Sequence, residues 1–237
     1  MRHLIGRAMA DYHMLADGDR VLLAVSGGLD SLLLAWILAA WQPMAPICYH
    51  VEAAHVDLAP DALGPGPRAL AVRDQLARMG LPCRIVAVDS TAPQPACHLC
   101  ARVRRKRLFD LAAAGHFGKL ALGHHRDDLV ETLLLNLLYS GNISTMVPRQ
   151  DLFHGRLALI RPLAYVERRQ LEELAAALGI VPEPSCCPVG EETQRRTVRR
   201  LLADISQQIP RARNNIFAAL SHVRQDYLLR PSGDGAQ

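Results

Sequence analysis

The sequence predicts an α/β protein built on a doubly wound parallel sheet with flanking helices, and three observations carry that expectation. Short apolar strands alternate along the chain with segments of helical periodicity. The first strand runs into a glycine-containing turn, Ser26-Gly27-Gly28-Leu29-Asp30-Ser31, and straight on into an apolar helix. Residues with chemical potential recur at the carboxyl ends of the strands, where open α/β sheets bind ligands.

The elements follow in order. Residues 1–17 read as an amphipathic helix closed by Gly18. Arg20–Val25 (RVLLAV) is an apolar strand, and Leu32-Leu33-Leu34-Ala35 continues the helix that follows the turn. Pro43 and Pro46 end that helix, and Ile47–His55 (ICYHVEAAH) is a second strand with Val56-Asp57 at its carboxyl end. Pro60–Pro67, containing Gly64 and Gly66, is a loop. Leu70, Val72, Leu76 and Met79 predict a helix over Arg68–Met79, stopped by Gly80. Cys83–Val88 is a third strand, Thr91–Ala96 a proline-rich loop, and Cys97–Ala114 a helix running to Gly115. Lys119–Leu122 is a fourth strand that opens into Gly123-His124-His125-Arg126-Asp127-Asp128 and the helix Leu129–Tyr139. This divides the chain into an N-terminal helix (1–18), an α/β domain (19–180) and a C-terminal helical segment (181–230). The short, polar, glycine-containing tail 231–237 is expected to be disordered.

With 237 residues, half of them hydrophobic, the chain can bury a full core and fold alone. A net charge of +4 is compatible with an acidic polymer as partner, so the placement of the arginines matters more than their number. The longest uncharged stretch, Ser31–Val51, is cut by Pro43 and Pro46 into pieces too short to span a membrane. Met1-Arg2-His3-Leu4 lacks the apolar run and cleavage site of a secretory signal, so a cytoplasmic enzyme is expected. Six cysteines are too few for a disulfide scaffold, and two close pairs in a reducing compartment favour metal or redox chemistry.

The SGGLDS turn has the makings of a phosphate-binding corner. Gly27 and Gly28 let the backbone turn and approach a ligand, and the helix start offers unpaired N–H groups and the positive end of its dipole. Ser26 and Ser31 add hydroxyls, and Asp30 can cap the helix or help hold Mg²⁺. The turn is shorter than GxxxxGK[ST] and has no Lys before its last Ser, which points to pyrophosphate rather than γ-phosphate transfer.

Cys97-His98-Leu99-Cys100 places two thiols one helical turn apart, and Cys186-Cys187 follows far downstream. A lone CxxC serves as a dithiol redox pair, half a zinc site, two ligands of an iron–sulfur cluster, or packing. Adjacent cysteines rarely both ligate one ion, which leaves three good thiolates, with iron–sulfur and zinc equally favoured by residue type. In His124-His125-Arg126-Asp127-Asp128, neighbouring pairs on a turn cannot all converge on a metal. Asp127 is expected to cap the helix and His125 to be solvated, leaving Gly123 for close approach to an adenylate and Asp128 for Mg²⁺. Arg102, Arg104, Arg105, Lys106 and Arg107 follow the CxxC, and Arg195, Arg196, Arg199 and Arg200 follow Cys187, so a phosphate backbone delivered to the cysteines is the natural partner. Aromatic residues, at 5%, are too scarce for a base-stacking platform.

Taken in order, SGGLDS, CHLCARVRR, LALGHHRDDLVETLLLNLLYSG, IRPLAYV and a Cys-Pro followed by Gln194-Arg195-Arg196 give the chain a resemblance to a known family. From Val21 to Leu229 it resembles the ATP-dependent tRNA thiolases of the PP-loop ATP pyrophosphatase superfamily, most closely the tRNA 2-thiocytidine synthetase group. That resemblance implies a HUP-type fold, ATP with Mg²⁺, and a [4Fe–4S] cluster on Cys97, Cys100 and Cys187, whose unligated iron presents sulfur. It implies tRNA as substrate and a sulfur donor, either a cysteine desulfurase or sulfide; it leaves open whether the chain is a homodimer. Transfer of AMP to a pyrimidine carbonyl oxygen turns it into a good leaving group, and sulfur then displaces AMP. By resemblance, Ser26, Gly27, Gly28, Asp30 and Ser31 hold phosphates, Asp57 and Gly123 contact the adenosine part, Asp128 acts near the reacting phosphate, and Arg104 is a basic catalytic residue. Arg102, Arg105, Arg107, Arg195, Arg196 and Arg199 are the expected tRNA contacts. Two features depart from the pattern: Leu29 stands where close relatives often carry Lys, and Cys186 competes with Cys187 as third ligand. The extra zinc-binding Cys pairs of the 2-thiouridine relatives are missing, which favours cytidine. The competing expectations are a zinc-bearing, lysidine-synthetase-like or amide-forming enzyme and a non-catalytic nucleotide- or RNA-binding module.

Overall fold

A computed structural model describes residues 1–88, 97–184 and 194–229, with the backbone alone for 97–100. The elements are α1 (Arg2–Asp11), β1 (Asp19–Ala24), α2 (Leu29–Trp41), β2 (Tyr49–Asp57), α3 (Pro67–Arg78), β3 (Cys83–Ala87), α4 (Cys97–Ala114) and β4 (Lys119–Ala121). Then come α5 (Arg126–Ser140), β5 (Arg149–Leu152), β6 (Leu157–Ile160), α6 (Arg168–Leu178), α7 (Gln194–Gln208) and α8 (Ala212–Ala219).

Six strands form one sheet in the order β3-β2-β1-β4-β6-β5, parallel except for β5, which runs antiparallel to β6 at the edge. The expected parallel sheet is therefore present, with an additional pair of four-residue strands. RQDL is polar and LALI is a single short apolar run, so neither carries a strand period long enough to be read locally. Alternation along β1 explains how both faces are covered. Val21 and Leu23 face a core shared with α1, α2, α3 and α6, while Leu22 faces a second core with Leu108 and Ala112 of α4 and Phe117.

The first helix is shorter than its amphipathic pattern suggests. It ends at Asp11, His13 takes a positive φ of 46°, and the chain turns so that Met14 is fully buried. Burial of Met14 outweighs continuation of a surface helix, and Gly18 N–H then donates to Cys48 O at 2.7 Å as the chain enters β1. Cys186, Cys187 and the tail from Pro231 lie outside the described residues. Among the described residues, no helix is long and apolar enough to cross a membrane.

Candidate active site

Strand order reverses between β1 and β4: the chain leaves β1 toward β2 and β3, then returns to the other side of β1 as β4. The crevice at the carboxyl ends of these two strands is the ligand position that this topology creates. The 26–31 turn and the 123–128 turn both open onto it.

The SGGLDS turn organises itself. Gly27 takes φ +84°, a conformation that strains any side-chain-bearing residue, and Gly28 is the N-cap of α2. Ser31 Oγ donates to Gly28 O at 2.8 Å and accepts the Ser26 N–H at 3.2 Å, while Ser26 Oγ accepts the Gly28 N–H at 3.2 Å. The first helical bond of α2 is Leu32 N–H to Gly28 O, so the N–H groups of Leu29, Asp30 and Ser31 have no acceptor within the helix. Donors of this kind at a helix start suit an anion. The Leu29 side chain turns away from it and packs against the core.

Gly123 lies directly against this turn. A Cβ on Gly123 would stand 2.9 Å from Ser31 N and 3.0 Å from Asp30 C and O, so only a glycine lets the end of β4 approach the start of α2. The 123–128 run departs from expectation at two residues. His125, expected to be solvated, is the N-cap of α5 and is only 2% exposed. Asp127, expected to cap, lies inside the first turn, buried, accepting the Arg168 N–H and an Arg213 Nη1 donor, each at 2.9 Å. The cause is tertiary: the N-terminus of α6 and the arginine of α8 claim the Asp127 carboxylate. Asp128 is the N3 residue, and its Oδ2 accepts the His125 N–H at 3.1 Å. His125 Nε2 stands 3.5 Å from Asp128 Oδ2 and 3.8 Å from Asp30 Oδ2, so the two carboxylates proposed from sequence for Mg²⁺ share one neighbour. Burial raises the Asp30 carboxyl above the ordinary range; His125 opposes this and the Asp128 charge adds to it. Arg126 leaves the site, pairing with Glu167 at 3.0 Å and Asn214 at 2.8 Å.

Asp57 closes β2, and its carboxylate organises the loop that follows, accepting the Ala59 N–H at 3.0 Å and the Gly66 N–H at 2.7 Å. Beside it, buried His55 donates through Nδ1 to Val25 O at 2.8 Å, tying the end of β2 to the approach of the phosphate turn. Burial lowers the His55 pKa, and the charges of Arg68 and Arg104 push the same way.

Arg161, in the IRPLAYV motif, was not singled out from sequence. It follows β6 directly, is buried, and donates through Nε to His124 Nδ1 at 3.3 Å and through Nη1 to Val147 O. Burial, then the charge of Arg105, brings its guanidinium down to about 10. A lone arginine directly after the short apolar run Leu157–Ile160 is the one local signal that could have found it. Burial and the Arg161 charge hold His124 down at about 4 against an ordinary 6.5. Between these values only the unfolded chain binds the proton, so stability falls as pH drops through this window and is flat above it. The loss amounts to at most about 3 kcal/mol. His124→Asn preserves an acceptor for Arg161 and removes the titration. Denaturant midpoints measured from pH 7 to 4 are expected to decline less steeply in this variant than in the parent, and equal slopes would refute the assignment.

Arg102, Arg104, Arg105, Arg196 and Arg199 are exposed and Arg107 and Arg195 are half-buried. Arg199 Nε pairs with buried Glu131 Oε1 at 2.8 Å, and Arg195 donates to Thr132 at 3.3 Å, so these two fasten α7 to α5. Cys97 and Cys100 occupy the first turn of α4. The 180–184 segment crosses the phosphate turn, where Glu183 N–H donates to Gly27 O at 2.9 Å and the Glu183 carboxylate accepts from Gln75.

Residues 2–202 match a family model described as the PP-loop domain. The chain belongs to the PP-loop family. Within it, the chain is 36% identical to a tRNA-cytidine(32) 2-sulfurtransferase of Pelobacter propionicus, over 97% of this chain and 87% of that one. It is 35% identical to one of Geobacter sulfurreducens, over 97% and 91%. The fold is shared with the U34-tRNA thiolase NcsA of Methanococcus maripaludis, solved with its [4Fe-4S] cluster, at TM-score 0.74 and 20% identity over 93% of this chain and 77% of that one. Among PP-loop proteins, the tRNA 2-thiocytidine synthetase group is thus the place of this chain, as its motifs implied.

Proposed function

We propose that this chain is an ATP-dependent tRNA sulfurtransferase that adenylates a cytidine carbonyl and replaces its oxygen with sulfur. One observation supports this reading above the others: the segment that runs on to Cys186-Cys187 is bonded to the phosphate turn, Glu183 N–H to Gly27 O at 2.9 Å, in a chain that also opens α4 with a CxxC motif. The charges of Arg104 and Arg105 on α4 are felt at His55 in β2 and at Arg161 just after β6, so this helix brings positive charge toward the site. Only three residues of chain lie between Glu183, bonded to the phosphate turn, and Cys187, four Cα–Cα steps that reach at most about 14 Å.

ATP seats its phosphates on the N–H groups of Leu29, Asp30 and Ser31, and Asp30 and Asp128 are the carboxylates that would hold Mg²⁺. The cytidine carbonyl oxygen bonds to the α-phosphorus and pyrophosphate departs. A reduced sulfur species then adds to the same carbon and AMP leaves with the oxygen. The donor set of Cys97 and Cys100, one turn apart, with Cys187, fits a [4Fe–4S] cluster, which when bound supplies an iron free to carry sulfur. Exposed Arg102, Arg105 and Arg196, with Arg107, offer the tRNA backbone its contacts, while Arg195 and Arg199 hold α7 in place beside them. Nucleoside mass spectrometry of tRNA from cells with and without the gene is expected to show 2-thiocytidine only when the gene is present. An unchanged nucleoside profile would overturn the reading, and stoichiometric zinc without iron in anaerobically purified protein would overturn the cluster.

A further inference from the structure

The phosphate turn is rich in backbone donors and carries no cation of its own: SGGLDS contains no Lys or Arg, and Leu29 points into the core. A triphosphate leaving as pyrophosphate concentrates several negative charges at this spot, so neutral donors and a single Mg²⁺ leave charge unmet. We propose that Arg68, forty-two residues downstream on α3, is the missing cation and contacts the pyrophosphate part of ATP.

Its placement supports this in three ways. Arg68 stands in the first turn of α3 and reaches back so that Nη2 donates to Ser26 O at 2.9 Å. The Nε and Nη2 edge of the guanidinium lies over Gly27: a Cβ there would stand 3.4 Å and 3.3 Å from these atoms, and 2.8 Å from Val72 Cγ2. The absence of a side chain at residue 27 is thus what admits the guanidinium to the turn. Second, Arg68 is underused. A guanidinium has five N–H donors, and among the described residues one is taken by Ser26 O, none by a carboxylate, while Nε is buried with no partner. A buried unpartnered donor at an anion seat is costly unless an anion completes it. Third, the Arg68 charge is felt at the site, since it helps hold His55 below its ordinary pKa. Planar forks of this kind suit phosphate oxygens better than an ammonium group does. Asp57 and Gly66 fix where α3 begins: Gly66 is the N-cap of α3, its N–H bonded to the Asp57 carboxylate at 2.7 Å. The role of Asp57 in this arrangement is to aim Arg68.

The inference rests on ATP being the ligand of the turn, and the test separates the two. ATP, inorganic pyrophosphate and adenosine are titrated by calorimetry into the parent chain, Arg68→Gln and Arg68→Lys, with thermal unfolding as a check on folding. The expected result is that Arg68→Gln weakens ATP and pyrophosphate by about 10- to 100-fold while adenosine binds as before. Arg68→Lys restores part of the loss. Should Arg68→Gln fail to fold, Arg68→Lys alone is expected to weaken ATP several-fold with adenosine unaffected. Equal ATP affinity in parent and variants would overturn the inference and leave the ATP reading standing, and parallel loss of ATP and adenosine would reduce Arg68 to a structural prop, which also overturns it. If the folded parent binds neither ATP nor pyrophosphate, the reading on which the inference rests has failed.

Discussion

Cys97→Ala protein is expected to form no detectable 2-thiocytidine while binding ATP with the parent's affinity. The two halves of the proposed reaction rest on different elements. In the proposed reaction ATP is seated by the turn between β1 and α2, which is held by its own hydrogen bonds among Ser26, Gly28 and Ser31. Cys97 belongs to the first turn of α4, which is anchored to the sheet by Leu108 and Ala112 at its other end. Removing a thiol from the first turn of that helix therefore leaves the anchor and the phosphate turn in place. Calorimetric ATP titration and nucleoside mass spectrometry on the same anaerobic preparation decide the matter. A tenfold loss of ATP affinity would mean that the two halves are not separate, and residual thiolation would remove Cys97 from the chemistry.

Gly123→Ala is expected to damage the nucleotide site through a single added methyl. The added Cβ meets the backbone of Asp30 and Ser31 at 2.9–3.0 Å, and backbone at the start of a helix cannot swing aside as a side-chain tip can. Strand β4 or helix α2 must shift, at a cost of about 1–3 kcal/mol in stability. The shift falls on the N–H groups proposed to receive phosphate, so ATP affinity should drop at least about tenfold. Gly118→Ala is the matched control, because nothing lies within 4 Å of its Cβ and its effect should be close to neutral. Denaturant unfolding and ATP titration of both variants test this, and a Gly123→Ala protein with parental ATP affinity would show that the close approach is not needed for binding.

Much of this architecture is legible from local pattern. The strand–turn–helix around SGGLDS, the extent of α4 and the position of α5 follow from apolar periodicity with glycine and proline punctuation, because each depends on residues within a turn or two. The doubly wound arrangement follows from the alternation of these units. Residues 123–128 mark where local reasoning stops. Adjacent Asp127 and Asp128 are chemically alike, yet one is taken by Arg213 and the α6 terminus while the other accepts the His125 N–H at the start of α5. Nothing within that run distinguishes them. The short strands β5 and β6 escape for a different reason, since four residues pair only because an existing sheet edge offers them partners.

By itself, then, the sequence determined the fold class, the phosphate turn and the cysteine motif, and with them the family, because those signals lie in contiguous residues. Tertiary structure alone decided who supplies charge and support to the site. Arg68 reaches Ser26 across forty-two residues, Glu183 reaches Gly27 from the far end of the chain, and Arg161 meets His124 from a neighbouring strand. Such partnerships arise when the switch point between β1 and β4 brings the strand ends together. A gap left by Leu29 within the turn is filled by a residue that becomes its neighbour only on folding.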